Sequence, residues 1–134
     1  MKTDIKILSS FLAAAVWADG EYDEFEKELV QDIAAELERP TLTETLEKEI
    51  KATEKMDENQ LADYIETAAK GVAKDEAKGI LTLCLQMMCA DAYLAQDEVD
   101  NLFAFAEILG VDDDAAQAIL DEFVDEVEDL IIEE

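Results

Sequence analysis

The chain has 134 residues, half of them hydrophobic, which is enough for one domain with its own core. It carries 36 acidic residues against 10 basic ones, it contains no histidine, and no Lys or Arg follows Lys78. This charge disfavours binding to nucleic acid and to anionic lipid, whereas basic protein surfaces, divalent cations or simple solubility are all compatible with it. Without histidine, zinc sites and histidine-dependent nucleophiles are also disfavoured.

The elements, taken in chain order, are all predicted to be helical. The single proline and four glycines interrupt a sequence dominated by strong helix formers, so an all-α fold is expected. Apolar periodicity and capping residues predict a single-domain bundle of about seven helices. The predicted helices cover residues 4–18, 23–38, 43–55, 58–70, 75–91, 97–109 and 113–131.

The first helix superficially resembles a signal peptide, because MKTDIKILSSFLAAAVWA places lysines and an apolar run before Asp19. A second apolar helix followed by an acidic turn occurs in mid-chain, where no cleavage signal operates. We therefore expect both to be core helices. No segment has the ~18 to 20 uninterrupted apolar residues of a membrane span, so direct membrane insertion is not expected.

Helix starts and ends carry capping signals. Three pairs have the form of a capping box, in which a cap residue is followed three positions later by Glu or Gln: Asp23 with Glu26, Thr41 with Glu44, and Asp57 with Gln60. Gly71 and Gly110 fall near predicted helix ends. Pro40 is expected to stop the second helix.

The chain contains an internal repeat, since ADGEYDEFE at 18–26 is related to ADAYLAQDE at 90–98. Below, two residues that are separated along the chain by the same number of positions as these two stretches are said to match at the repeat offset. We predict a helix-turn-helix unit that occurs twice, at about 5–38 and 75–110, with inserted helices at about 41–70 and a C-terminal helix at about 112–132 of one domain, 1–134. The apolar positions matched at the repeat offset are Leu8 with Ile80, Phe11 with Leu83, Ala15 with Met87, Ala18 with Ala90, Val30 with Leu102, Ile33 with Phe105, Ala34 with Ala106, and Leu37 with Leu109.

The acidic turn of the first copy has two interpretations. In one, Asp23 and Glu26 cap the second helix, and Asp19 accepts hydrogen bonds from its free N–H groups. In the other, Asp19 and Glu26, with Glu21 or Asp23, bind a hard divalent cation such as calcium or magnesium through oxygen ligands.

The second copy keeps only part of this acidic set. Asp91 and Glu98 are present, but Ala92 stands where the first copy has Gly20. The first turn should therefore bind a cation better, unless the fold brings Asp19, Glu26, Asp91 and Glu98 together in one shared cluster. The spacing does not fit an EF-hand, since position 12 counted from Asp19 is Val30.

An Ala-Asp-Gly turn with Glu seven residues after the Asp, following a small-residue apolar helix and repeated once, resembles the TerB-like family. That family includes tellurite-resistance TerB proteins and the N-terminal domain of DjlA-type co-chaperones. The resemblance implies an all-α fold with internal pseudo-twofold symmetry and metal-linked acids at Asp19, Glu26, Asp91 and Glu98. It implies no single reaction, since such proteins are associated with metal stress, membrane-linked complexes and chaperone partners.

Sulfur and aromatic residues are expected to be structural. Met87, Met88 and Cys89 could suggest a soft-metal site, but core filling is the preferred interpretation because Met87 falls on the apolar stripe. Cys84 and Cys89 cannot pair within one helix, and we expect them reduced in a cytoplasmic protein. Trp17 is predicted to be a partly buried anchor beside the first turn.

The tail DDDAAQAILDEFVDEVEDLIIEE is predicted to form an amphipathic helix that docks on the core, or, if exposed, binds a partner. Nothing in the sequence indicates catalysis. We therefore predict a non-enzymatic TerB-like domain that binds a divalent cation through its acidic turns and is linked to metal or tellurite-type stress or to a protein complex. One alternative is an acidic module with no metal role that recognises a basic surface on a chaperone, a membrane-associated complex or a nucleic-acid-binding protein. A second is a DNA-mimic inhibitor, which would need acids spaced like phosphates along a surface.

Overall fold

The computed structural model describes residues 3–19, 24–89, 93–94, 96–127 and 131–132. Within these ranges the chain is all-helical apart from two strands of two residues each, so the predicted all-α bundle of seven helices is confirmed. The elements are α1 (Ile5–Asp19), α2 (Glu24–Glu36), α3 (Leu42–Thr53), α4 (Glu58–Ala69), α5 (Lys74–Met88), β1 (Tyr93–Leu94), α6 (Gln96–Leu109), α7 (Asp113–Glu126) and β2 (Ile131–Ile132).

Helix α1 is the centre of the core. Every residue from Leu8 to Val16 is buried, including Ser9 and Ser10, and the helix packs against α3, α4, α5 and α6. Its sequence is apolar around the whole circumference, which is typical of a helix surrounded by others. The hydroxyl of Ser10 lies 2.9 Å from the Tyr64 hydroxyl, which in turn donates to the Glu49 carboxylate.

Apolar positions matched at the repeat offset occupy similar environments. Among the matched pairs, both members are buried in Leu8 with Ile80, Ala15 with Met87, Val30 with Leu102, Ile33 with Phe105, and Ala34 with Ala106. Phe11 is also fully buried, whereas its counterpart Leu83 is only partly so. The predicted apolar faces of α1, α2, α5 and α6 therefore face the core.

Helices α2 and α6 end with the same backbone arrangement. Glu38 and Gly110, which correspond at the repeat offset, have positive φ angles of 55° and 78°. The next amide then bonds back five residues, from Arg39 to the Ala34 carbonyl at 2.9 Å and from Val111 to the Ala106 carbonyl at 2.8 Å. This is the left-handed helix end for which glycine is preferred, so the first copy carries a glutamate where the second has the favoured residue.

The capping boxes predicted at the starts of α3 and α4 differ in the structure: only the one at α4 forms. Asp57 and Gln60 form a complete capping box at α4, where the Asp57 carboxylate accepts from the Gln60 amide at 2.8 Å. Thr41 precedes α3 but makes no side-chain cap bond, so the prediction of a capping box there was wrong. Its backbone is already helical, with φ −77° and ψ −7°, whereas a capping residue needs an extended backbone.

The C-terminal helix is shorter than the predicted 113–131. Helix α7 ends at Glu126, and Val127 has an extended backbone with φ −103° and ψ 92°. Further on, Ile131–Ile132 pairs in parallel with Tyr93–Leu94. Pairing with a distant strand, which isoleucine favours, overrides the helical periodicity of the tail.

Helix α5 also ends earlier than predicted, at Met88, with Cys89 as its cap. Helix α7 docks on the domain as predicted. It buries Ala116 and Leu120 and packs against α5 and α6.

Candidate metal site

Two glutamates occupy equivalent places at the starts of α2 and α6. Glu26 is the third residue of α2 and is 1% exposed, and Glu98 is the third residue of α6 and is 5% exposed. Glutamate is among the residues least often buried in proteins. Two nearly complete burials at positions matched by the repeat therefore need a physical cause.

Their position in the first helical turn explains part of this burial. The first four N–H groups of a helix have no partner within the helix, and the aligned peptide dipoles place partial positive charge there. A carboxylate at this end is favoured for both reasons. Glu26 and Glu98 both take part in interactions with other groups of the protein.

Burial has an energetic consequence for each carboxylate. Removing a charged carboxylate from water costs several kcal/mol unless hydrogen bonds, an opposite charge or a metal ion compensates. Carboxylate oxygens are also the ligands that calcium and magnesium prefer. Each helix start therefore holds, away from bulk water, one side chain of the type that a hard cation requires.

The other predicted ligands are described less fully or not at all. Asp19 is the last residue of α1, and its side chain lies outside the described part of the molecule, as do Glu21, Asp23 and Asp91. Within the described ranges, no group of three or more Asp, Glu or Cys side chains is arranged to hold a metal ion. The predicted ligand set thus remains a prediction, with Glu26 and Glu98 as its two buried members.

Trp17 anchors the end of α1 next to this region. Its indole N–H donates to the Thr53 hydroxyl at 2.8 Å, and that hydroxyl lies 2.8 Å from the Glu49 carbonyl of α3. The predicted role of Trp17 as a partly buried anchor is confirmed. The only tryptophan lies two residues before Asp19, so its fluorescence can be tested as a reporter of cation binding.

The sulfur residues are part of the core, as predicted. Met87, Met88 and Cys89 are all buried, and the Cys84 thiol donates to the Phe11 carbonyl at 3.7 Å. Burial raises the pKa of the Cys84 thiol to about 12. A thiol that stays protonated is a poor nucleophile and a poor metal ligand.

The sequence interpretation missed one feature near the acidic turn. Phe25 is 62% exposed and is the only large hydrophobic residue so exposed in the described part of the chain. The available signal was its position, since Phe25 lies outside the apolar stripe that runs through Val30, Ile33 and Ala34.

Comparison with known proteins does not extend these observations: no family model, no curated protein and no solved structure matches the chain. In the described ranges, no helix has the length and apolar character needed to cross a membrane.

Proposed function

We propose that this chain is a non-enzymatic domain of the TerB-like type that binds a divalent cation, calcium or magnesium, at the acidic turns that lead into α2 and α6. The observation that carries the proposal is the burial of Glu26 and Glu98 at the third position of two helices that correspond in the repeat. In each copy the partner acid is the aspartate seven residues earlier, Asp19 or Asp91.

The equivalence of the two copies supports the proposed pseudo-twofold repeat. It rests on three independent kinds of match at the same offset: buried apolar positions, buried glutamates, and the backbone arrangement that ends α2 and α6. The chemistry of the acids supports a metal role, because carboxylate oxygens are the ligands that calcium and magnesium prefer. The first copy should bind more tightly, since it also offers Glu21 and Asp23.

Such a domain would act by coupling ion occupancy to the geometry of its helix starts. An ion held by Asp19 and Glu26 would tie the end of α1 to the start of α2, and the second copy would do the same for α5 and α6. A role in metal-linked stress or in a cation-dependent complex would use that coupling. No reacting group is required.

The test is calorimetric titration of protein stripped with EDTA, using calcium, magnesium and manganese at about 0.15 M salt, which suppresses diffuse counterion binding. We expect one or two saturable sites. Glu26→Gln and Asp19→Asn should abolish the tighter site, and Glu98→Gln and Asp91→Asn the weaker one. Trp17 emission should change with the same dependence on ion concentration.

The matched control is Glu24→Gln, which neutralises an exposed acid in the same helical turn and should leave binding unchanged. Far-UV circular dichroism establishes that each variant is folded. Weak heats that do not saturate, and that are the same in Glu26→Gln and Glu24→Gln, would refute a cation site and leave these glutamates as structural carboxylates.

A further inference from the structure

An open groove beside α2 combines apolar and acidic side chains. It has a volume of about 340 Å³ and runs between α2, the end of α5 and the end of α7. Eight described residues line it: four from α2 and four from the ends of α5 and α7, among them Cys89, Phe123 and Val127.

The α2 wall has the spacing of one helix face. Phe25, Glu28, Leu29 and Asp32 fall at i, i+3, i+4 and i+7, so they form a ridge about two turns long. Two apolar side chains alternate along it with two acidic ones. Phe25 is 62% exposed, so most of an aromatic ring faces solvent at one end of the ridge.

The charged side chains described in the lining of the groove are all negative. Glu28 and Asp32 are acidic, and none of the eight described lining residues is basic. Cys89 and Val127 are the C-terminal caps of α5 and α7, so two helix ends with partial negative charge meet there. Helix α7 itself has acids at Asp121, Glu122, Asp125 and Glu126 and no basic residue.

We propose that this groove, from here on the α2–α7 groove, binds a basic amphipathic helix of a partner protein. Apolar side chains of that helix would cover Phe25, Leu29 and Phe123, and its Lys or Arg residues would face Glu28, Asp32 and the two helix ends. Recognition of an amphipathic helix through anchors at i, i+3, i+4 and i+7 is an established mode of peptide binding. A second copy of this chain fits poorly, because its net charge of −26 opposes association.

The groove and the candidate cation site use different side chains, since the residues that line the groove include neither Glu26 nor Glu98. The probe is a fluorescein-labelled peptide of about 15 residues, with leucines on one helical face and lysines flanking them, titrated with the full chain in EDTA and followed by anisotropy. A peptide of the same composition, scrambled to spread the leucines around the helix, separates apolar recognition from charge alone. We expect the amphipathic peptide to bind at least about tenfold more tightly than the scrambled one.

Variants then locate the site. Phe25→Ser should weaken binding about tenfold, the equivalent of about 1.4 kcal/mol, whereas Phe25→Leu keeps an apolar side chain and should retain most of the affinity. Because Phe25 is 62% exposed, both variants should fold, and far-UV circular dichroism checks this. Glu28→Gln with Asp32→Asn should weaken binding and reduce its salt dependence.

The matched control is the pair Glu44→Gln and Glu66→Gln, which removes the same charge from exposed positions of α3 and α4 and should change neither quantity. Equal binding of the two peptides, or equal effects of the groove and control pairs, would show attraction by net charge alone and overturn the proposal. Sedimentation that showed a wild-type dimer, with Phe25→Ser a monomer, would place a second copy in the groove and overturn it as well.

Discussion

The end of α2 offers a direct test of the backbone reasoning, because Glu38 adopts a conformation that only glycine occupies at no cost. Its φ is 55°, and the equivalent residue in the second copy is Gly110, with φ 78°. Glu38→Gly should therefore stabilise the protein. A left-handed conformation costs an L-residue about 1–2 kcal/mol, since Cβ approaches the following carbonyl oxygen.

Two further terms decide the net size of the gain. Glycine loses about 0.5–1 kcal/mol more chain entropy on folding than other residues do, which offsets part of the relief. Removing a negative charge just beyond the C-terminus of α2 adds a few tenths of a kcal/mol at most, since Glu38 is exposed. The expected net increase in the free energy of unfolding is about 0.5–1 kcal/mol, or roughly 3 °C in Tm for a chain of this size.

Urea denaturation followed by circular dichroism measures this quantity, with Glu38→Gln as the control that removes the charge and keeps the strained backbone. Glu38→Gly should exceed Glu38→Gln in stability by at least about 0.5 kcal/mol. Gly110→Ala should lose about 1 kcal/mol, although no neighbouring atom lies within 4 Å of the added methyl group. A Glu38→Gly variant no more stable than Glu38→Gln would refute the assignment of strain to Glu38.

Three more predictions concern described hydrogen bonds and burial. The Cys84 thiol has its ordinary pKa of 9.0 in the unfolded chain and a pKa of about 12 when buried in the folded protein. As pH rises above 9, only the unfolded chain loses this proton, so the free energy of unfolding should fall by up to about 1.4 kcal/mol per pH unit. The slope should be smaller in Cys84→Ala. Below pH 9 this contribution is fully present, and a thiol reagent at pH 8 should label Cys84 only after denaturation. Thr53→Val removes the acceptor of the Trp17 indole N–H, and it should cost about 1–3 kcal/mol in thermal unfolding and shift the tryptophan emission; an unchanged spectrum would contradict that bond. Asp57→Ala should lower the free energy of unfolding by about 1 kcal/mol through loss of the capping box. Thr41→Ala should leave it nearly unchanged, because Thr41 makes no cap bond. Equal losses in the two variants would show that the starts of α3 and α4 do not differ.

One part of the candidate site could be predicted from a local sequence pattern, and another part depends on tertiary packing. The sequence singled out Glu26 and Glu98, because their places after the two apolar helices repeat at the same offset. Their burial could not be predicted, since a glutamate in the first turn of a surface helix normally points to solvent. That burial depends on which neighbouring helices cover the helix start.

The α2–α7 groove could not be predicted from the sequence, because it is formed by segments that are distant in the chain. Phe25 and Leu29 come from one helix, and Phe123 and Val127 come from a segment near the other end of the chain. No local pattern states that these residues meet. The sequence interpretation therefore expected a basic partner from charge alone, without a surface to receive it.

The sequence by itself determined the helical class, the number of helices, the faces that pack inward and the capping box at Asp57, because periodicity and capping depend on residues within a few positions of one another. The tertiary structure alone decided where α7 ends and which carboxylates are buried. Both depend on segments distant in the chain: Ile131–Ile132 lies outside α7 and pairs with Tyr93–Leu94, a partner that no local pattern identifies.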